Sequence, residues 1–230
     1  MKTVGIVGIT AEGGALCYKT IVSEAAKKLG DYKHPEILLD NPQFYEILQA
    51  QRQDNWDKVA EICLNSINKL KSIGADFIII PGNSIHFAFN KIVVKSPLPV
   101  ISIVETAVEE CWDRGYKKIA VLGVGITMSG GLFKEPVEKR GMTYQVPSQD
   151  DQELLNKIIY EEIVPDKVSQ KSVELIVNLI NKLKSGGCDA VILGCTELPI
   201  VVTEENSPLP IIDTTRLLAK KALELAIEEL

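Results

Sequence analysis

The chain contains one pattern twice. Asn68-Lys69-Leu70-Lys71-Ser72-Ile73-Gly74-Ala75-Asp76-Phe77-Ile78-Ile79-Ile80 returns 113 residues later as Asn181-Lys182-Leu183-Lys184-Ser185-Gly186-Gly187-Cys188-Asp189-Ala190-Val191-Ile192-Leu193. Ser96-Pro97-Leu98-Pro99-Val100-Ile101 returns as Ser207-Pro208-Leu209-Pro210-Ile211-Ile212, and Val4-Gly5-Ile6-Val7-Gly8 has a partner in Ile119-Ala120-Val121-Leu122-Gly123. Helix–turn–strand junctions resemble one another, but three matched blocks in one order mark an internal repeat. Each copy reads as strand alternating with helix. Apolar, β-branched runs place strands at 4–7, 37–39, 77–80 and 100–103, then at 119–122, 143–146 and 190–193. Helical spacing places helices at 15–29, 56–73, 151–164, 171–183 and 216–230. Ser148-x-x-Asp151 resembles a capping box before the third of these.

Alternation of this kind predicts α/β architecture: two similar lobes, each a parallel sheet flanked by helices, related by pseudo-two-fold symmetry. The expected boundaries are residues 1–99 plus 213–230 for the first lobe and 100–212 for the second, with the last helix returning to the first lobe. Parallel sheets bind ligands at the carboxyl ends of their strands. If the lobes face each other, those ends converge on one cleft.

Composition narrows the function. Of the 230 residues 46% are apolar and 24% charged, which argues against disorder. A net charge of −6 and a pI near 5.1 lack the footprint of a nucleic-acid binder. No run approaches the roughly 20 apolar residues of a membrane helix. Met1-Lys2-Thr3-Val4 enters a strand pattern without signal-peptide architecture. Five cysteines without C-x-x-C spacing suit neither a disulfide framework nor a structural zinc site, and two histidines make a His-based site improbable. The expectation is a cytoplasmic, reduced, soluble protein with no metal, no nucleic acid and no membrane partner. Gly8-x-x-x-x-Gly13 lacks the Lys-Ser/Thr of a phosphate loop, and Gly123-x-Gly125 lacks the third glycine of a dinucleotide fingerprint.

The repeat also aligns two loops. After the strand at 77–80 come Pro81-Gly82-Asn83-Ser84-Ile85-His86, and after its twin come Gly194-Cys195-Thr196-Glu197-Leu198-Pro199. Cys195 thus matches Gly82, Thr196 matches Asn83, and Glu197 matches Ser84. A thiol at a strand's carboxyl end beside backbone N–H groups is expected to have a depressed pKa, fit for a nucleophile or proton-transfer base. The other reading is a small apolar residue at a strand end. Cys63 and Cys111 lie on helical patterns as core residues, Cys17 lies on the first helix, and Cys188 lies at the entrance of Cys195's strand.

At these residues the sequence resembles the aspartate/glutamate racemase superfamily. Its members carry Cys-Asn-Thr after a first-lobe strand and Gly-Cys-Thr-Glu after the matching second-lobe strand. The second block is intact here as Gly194-Cys195-Thr196-Glu197; the first reads Gly82-Asn83-Ser84, with the family-like His86 following. Gln51-x-x-x-x-Trp56-Asp57-Lys58, Leu122-Gly123-x-x-x-Thr127-Met128 and Ile159-Tyr160-Glu161-Glu162 extend the resemblance along the chain.

The resemblance implies a two-lobed fold with the active site between the lobes. It implies a small amino acid or dicarboxylate as ligand, no pyridoxal phosphate or other cofactor, and a homodimer. Two-base members place a cysteine on each face of the α-carbon. Here Cys195 is the implied thiol acid/base on one face, and Gly82 marks the missing cysteine on the other. Three substitutes are open: an ordered water beside Gly82, Ser84 or His86 acting through such a water, or one face without catalysis. His86 also reads as a structural residue starting a helix. The resemblance assigns Asn83, Ser84 and Thr196 to the substrate α-carboxylate and Glu197 to its α-ammonium. It assigns Lys167 to a side-chain carboxylate, and Gln51 and Arg52 to a loop closing over the same end. Lys167 and Arg52 also read as solvated surface residues, and Thr127 as either a cleft contact or a helix cap. In the first loop Thr10 stands where the family has methionine, Glu12 keeps the family acid, and Val124 stands where threonine is common.

Three activities follow from this pattern: racemisation of aspartate, glutamate or a close relative; one-base α-proton exchange or β-elimination; and non-catalytic amino-acid binding.

Overall fold

A computed structural model describes residues 1–228. The chain divides into two compact units: Met1–Thr106 with the segment from Thr215 on, and Ala107–Thr214. In the first, Val4–Val7 (β1), Ile37–Asp40 (β2), Phe77–Ile79 (β3) and Val100–Ile101 (β4) form a parallel sheet in the order β2-β1-β3-β4. In the second, Lys118–Gly123 (β5), Thr143–Gln145 (β6), Ala190–Gly194 (β7) and Ile211–Asp213 (β8) form a parallel sheet in the order β6-β5-β7-β8. The repeat in sequence is therefore a repeat in topology. Residues 100–106, read from sequence as opening the second lobe, lie with the first unit, because β4 completes the first sheet. The last helix, Thr214–Ile227, also packs there: the Lys2 N–H donates to the Ala226 carbonyl at 2.9 Å, and Cys17 Sγ lies 3.6 Å from the Thr215 carbonyl.

The repeated residues do matched work. The helices Trp56–Ser72 and Gln170–Ser185 each run into a glycine with positive φ, Gly74 at +106° and Gly187 at +87°. Such a residue closes a helix at low steric cost when it lacks a Cβ. In both copies the next N–H reaches back to the helix, Ala75 to the Leu70 carbonyl at 3.0 Å and Cys188 to the Leu183 carbonyl at 3.1 Å. The following aspartates tie neighbouring strands. Asp76 Oδ2 accepts from the Thr3 N–H at 2.6 Å, while Asp189 accepts from the Lys117 and Lys118 N–H groups at 2.7 and 3.1 Å. Ser96 and Ser207 form one turn twice, each hydroxyl donating at 2.6 Å to the carbonyl two residues on.

Burial follows the sheet order. The inner strands β1, β3 and β7 are wholly buried and β5 nearly so, while edge strands β2 and β6 are half-exposed. Near-continuous apolar sequence is what a strand covered on both faces requires. Trp56–Ser72 is capped by Asn55, whose Oδ1 accepts from the Lys58 N–H at 3.0 Å. It turns Val59, Ile62, Cys63, Ile67 and Leu70 into the first core. Each aliphatic side chain so buried contributes about 1.5–3 kcal/mol. Gln170–Ser185, capped by Ser169, delivers Ile176, Leu179, Ile180 and Leu183 to the second core. No described helix is long and apolar enough to cross a membrane.

The topology also locates ligand sites. From β1 the chain crosses to β2 and then returns on the other side of β1 as β3. The crevice outside the carboxyl ends of β1 and β3 is thus a switch point, the usual ligand position in open α/β sheets. The ends of β5 and β7 form its counterpart in the second unit.

Candidate active site

In the second unit the loop after β7 carries Cys195, Thr196 and Glu197 to that switch point. Gly194 ends the strand, and the short helix Leu198–Val201 follows Glu197. Cys195 and Glu197 are each 7% exposed. The Cys195 thiol donates to Glu197 Oε2 at 3.0 Å, and the Thr196 hydroxyl donates to the same oxygen at 2.6 Å. Burial pushes the thiol well above its ordinary range, and the Glu197 carboxylate adds to this by charge and by hydrogen bond. The backbone N–H groups of Glu197 and Leu198 act in the opposite sense and are outweighed. This corrects the expectation of a depressed thiol pKa: the resting sulfur carries its proton. Burial alone pushes the core thiol Cys63 up to about 12.

Thr127 explains the glycines around the thiol. It sits inside the helix Gly125–Ser129, fully buried, while Val124 is the capping position, so the capping reading is set aside. A Cβ on Gly194 would lie 3.1 Å from Thr127 Cγ2 and 3.0 Å from the Leu122 carbonyl oxygen; one on Gly123 would lie 2.9 Å from the Gly194 carbonyl oxygen. Glycine at both strand ends lets the neighbouring strand's carbonyl and the Thr127 side chain both approach closely. The Thr127 hydroxyl is buried without a hydrogen-bond partner among the described residues.

Lys167 lies on an exposed loop and is not drawn into the hydrogen bonds of Cys195, Thr196 and Glu197. The loop follows a widened helical turn, Ile159–Ile163. Glu162 fixes it: its carbonyl accepts from the Lys167 N–H at 2.7 Å, and its Oε2 accepts from the Ser169 N–H at 3.2 Å and the Ser169 hydroxyl at 3.3 Å.

In the first unit Gly82 follows β3 and precedes a short 3₁₀ helix, Asn83–Ala88. Asn83 is buried and Ser84 half-buried. Gln51 Nε2 donates to the Ser84 hydroxyl at 3.0 Å. Gln51 and Arg52 end the helix Phe44–Arg52 rather than lying in a loop, which corrects the sequence expectation. Its Ile47 and Ala50 are buried in the core, which is why the segment is helical.

The space beside Gly82 is apolar and tight. A Cβ there would stand 3.0 Å from Ile9 Cγ1 and 3.1 Å from Ile85 Cγ1, and both isoleucines are buried. No polar side chain is among the atoms nearest that position. Nor is His86 a proton donor. Its Nε2 accepts from the Ile103 N–H at 3.1 Å, so Nδ1 carries the hydrogen and donates to the Gly82 carbonyl at 3.1 Å. Burial pushes its pKa down to about 4, against the opposing Gly82 hydrogen bond. The ring stacks on Phe89 at 4.8 Å. His86 is thus the structural residue of its alternative reading, and it fixes the Gly82 peptide.

Ile9 escaped the sequence reading. Its only signal was its place after β1, one residue past Gly8, at the switch point shared with Gly82. Thr10, noted only as a departure from methionine, caps the helix Ala11–Leu29 by accepting from the Gly13 N–H at 3.1 Å. Among the described residues no three His, Cys, Asp or Glu side chains gather as a metal site.

These sites have relatives. The chain is 28% identical over 194 residues to the broad specificity amino-acid racemase RacX of Bacillus subtilis (strain 168), covering 84% of this chain and 82% of that one. The solved structure of an aspartate racemase homologue from Pyrococcus horikoshii OT3 superposes with a TM-score of 0.85 at 30% identity, covering 98% and 99% of the two chains. The aspartate racemase of Picrophilus torridus shares the fold, with a TM-score of 0.80 at 23% identity over 98% of this chain and 94% of that one. The family model for Asp/Glu/Hydantoin racemase matches residues 6–222, and the chain belongs to that family.

Proposed function

We propose that this protein is a cofactor-independent racemase of acidic amino acids, aspartate, glutamate or a close relative, with Cys195 as the thiol acid/base on one face of the α-carbon. The observation that supports this most is the Cys195 sulfur itself, placed after β7 with its hydrogen on Glu197 Oε2 at 3.0 Å. Asn83, Ser84 and Thr196 supply neutral donors for the α-carboxylate. Glu197 supplies a negative charge for the α-ammonium, and Lys167 a positive charge for the side-chain carboxylate. In its thiolate form Cys195 takes the α-proton of one enantiomer, and in its thiol form it protonates the carbanion formed from the other; the proton on the opposite face is exchanged with water, through Ser84. Placing a proton donor against the reacting carbon is typically worth about 10²–10⁴ in rate.

A second reading is favoured by the first unit. Ile9 and Ile85 close on Gly82, and His86 is neutral with both ring nitrogens engaged. With no acid at that position, one-base chemistry follows: the α-proton leaves and returns on one face, or a β-leaving group departs.

The deciding experiment incubates each enantiomer of aspartate and glutamate with the protein in heavy water, following optical rotation and α-deuterium together. Decay of rotation from both enantiomers supports racemisation. Deuterium gain with rotation retained supports the one-base reading. Neither change, under saturating ligand, contradicts both.

A further inference from the structure

Glu197 has a second part to play beyond meeting a ligand's ammonium group. We infer that Glu197 is the positioning partner of Cys195, accepting the thiol hydrogen on its Oε2 and so keeping the sulfur a thiol at rest. The geometry is compact. One carboxylate oxygen, Oε2, accepts the thiol hydrogen at 3.0 Å and the Thr196 hydroxyl hydrogen at 2.6 Å. All three residues are buried, so water does not compete freely for these hydrogens. Cys195 packs in an apolar cluster whose members include Leu193, Leu198 and Val202. Glu197, beside it, acts on the sulfur by charge as well as by hydrogen bond. A negative charge two residues away in a low-dielectric pocket disfavours a thiolate strongly. The Thr196 hydroxyl competes for the same oxygen and partly offsets its charge toward the sulfur. The Glu197 and Leu198 N–H groups oppose this from the other side and stabilise the sulfur once it ionises.

Cys195 therefore meets a ligand as an acid. It becomes a base once its own proton has passed to water, a loss favoured when the Glu197 charge is offset, as an ammonium group drawn to that carboxylate would do. This use of the pair rests on the proposed reading; the pairing itself does not.

The test is a titration of thiolate absorbance in the full-length protein, with Cys195→Ser subtracted as baseline, for the wild type, Glu197→Gln and Glu197→Asp. Glu197→Gln keeps the size of the side chain and removes its charge. Its thiol midpoint is expected at least one pH unit lower than wild type, about a tenfold rise in thiolate at fixed pH. Glu197→Asp keeps the charge and is expected near wild type. A Glu197→Gln midpoint equal to or above wild type overturns the inference, as does Glu197→Asp moving as far as Glu197→Gln. Should Glu197→Gln fail to fold, Thr196→Val serves. It removes the competing donor and should raise the midpoint; a fall overturns the inference. Where the wild type also exchanges α-protons, the pH profile of exchange in Glu197→Gln should move with its thiol midpoint, and a profile that stays put counts against the pair. A wild type without exchange defeats the proposed function, while the titration still decides the pairing.

Discussion

Ile9 crowds the position a side chain at Gly82 would take: a Cβ on Gly82 would fall 3.0 Å from Ile9 Cγ1. The glycine has an extended backbone, with φ −165° and ψ 104°, so the obstacle is packing and not conformation. Where the resemblance implies a thiol, the chain has a glycine in close contact with an isoleucine.

Restoring the thiol alone should therefore fail. Gly82→Cys is expected to cost about 1–3 kcal/mol of stability through overpacking. Combining it with Ile9→Ala should recover part of that loss, giving a favourable coupling in a double-mutant cycle followed by urea unfolding. Additive losses would show that Ile9 is not the obstacle. In the folded double variant a faster racemisation than wild type is expected if the absent thiol limits turnover.

His86 makes the first unit sensitive to acid. Its pKa falls from 6.5 to about 4 on folding, so between those values the unfolded chain binds the extra proton. The contribution is fully present above pH 6.5 and is lost as pH falls toward 4, by an amount on the order of 3 kcal/mol. Glutamine keeps a donor and an acceptor without a charge change. Stability of His86→Gln measured across this window should fall less steeply than wild type, and parallel slopes would assign the acid sensitivity elsewhere.

The repeated aspartates should differ in weight. Asp189 accepts from two backbone N–H groups through its side chain, and Asp76 accepts from one. Asp189→Ala is expected to cost about 1–3 kcal/mol and Asp76→Ala less, read by denaturant unfolding. Equal losses would contradict this account of the strand ends.

Lys167 should govern affinity more than chemistry. With its ammonium on a substrate carboxylate, Lys167→Ala should raise KM for aspartate and glutamate by roughly 10- to 100-fold, the value of a charged hydrogen bond. The kcat should move little. An unchanged KM would return Lys167 to the solvated surface.

Much of the fold was legible because its main signals are local. The strands, the long amphipathic helices and the capping Ser148 follow from spacing and cap chemistry, and Ser148 Oγ accepts from the Asp151 N–H at 3.4 Å. Short helices were not legible: Asn83–Ala88 and Leu198–Val201 are too brief to show periodicity. Phe44–Arg52 passed for a loop because only Ile47 and Ala50 of its nine residues are buried. At the site, the positions of Cys195 and Gly82 came from the repeat. Their environments did not, since Ile9 reaches Gly82 only across the β1–β3 switch point. The direction of the thiol shift was misread because strand-end N–H groups were weighed without burial or the charge on Glu197.

The central claim is that one sulfur handles the proton. Its most direct measurement is α-deuterium gain by L- and D-aspartate in heavy water, comparing the wild type with Cys195→Ser of matched fold and ligand affinity. The account predicts exchange in the wild type and its abolition in the variant. Exchange at an undiminished rate without that sulfur would contradict it.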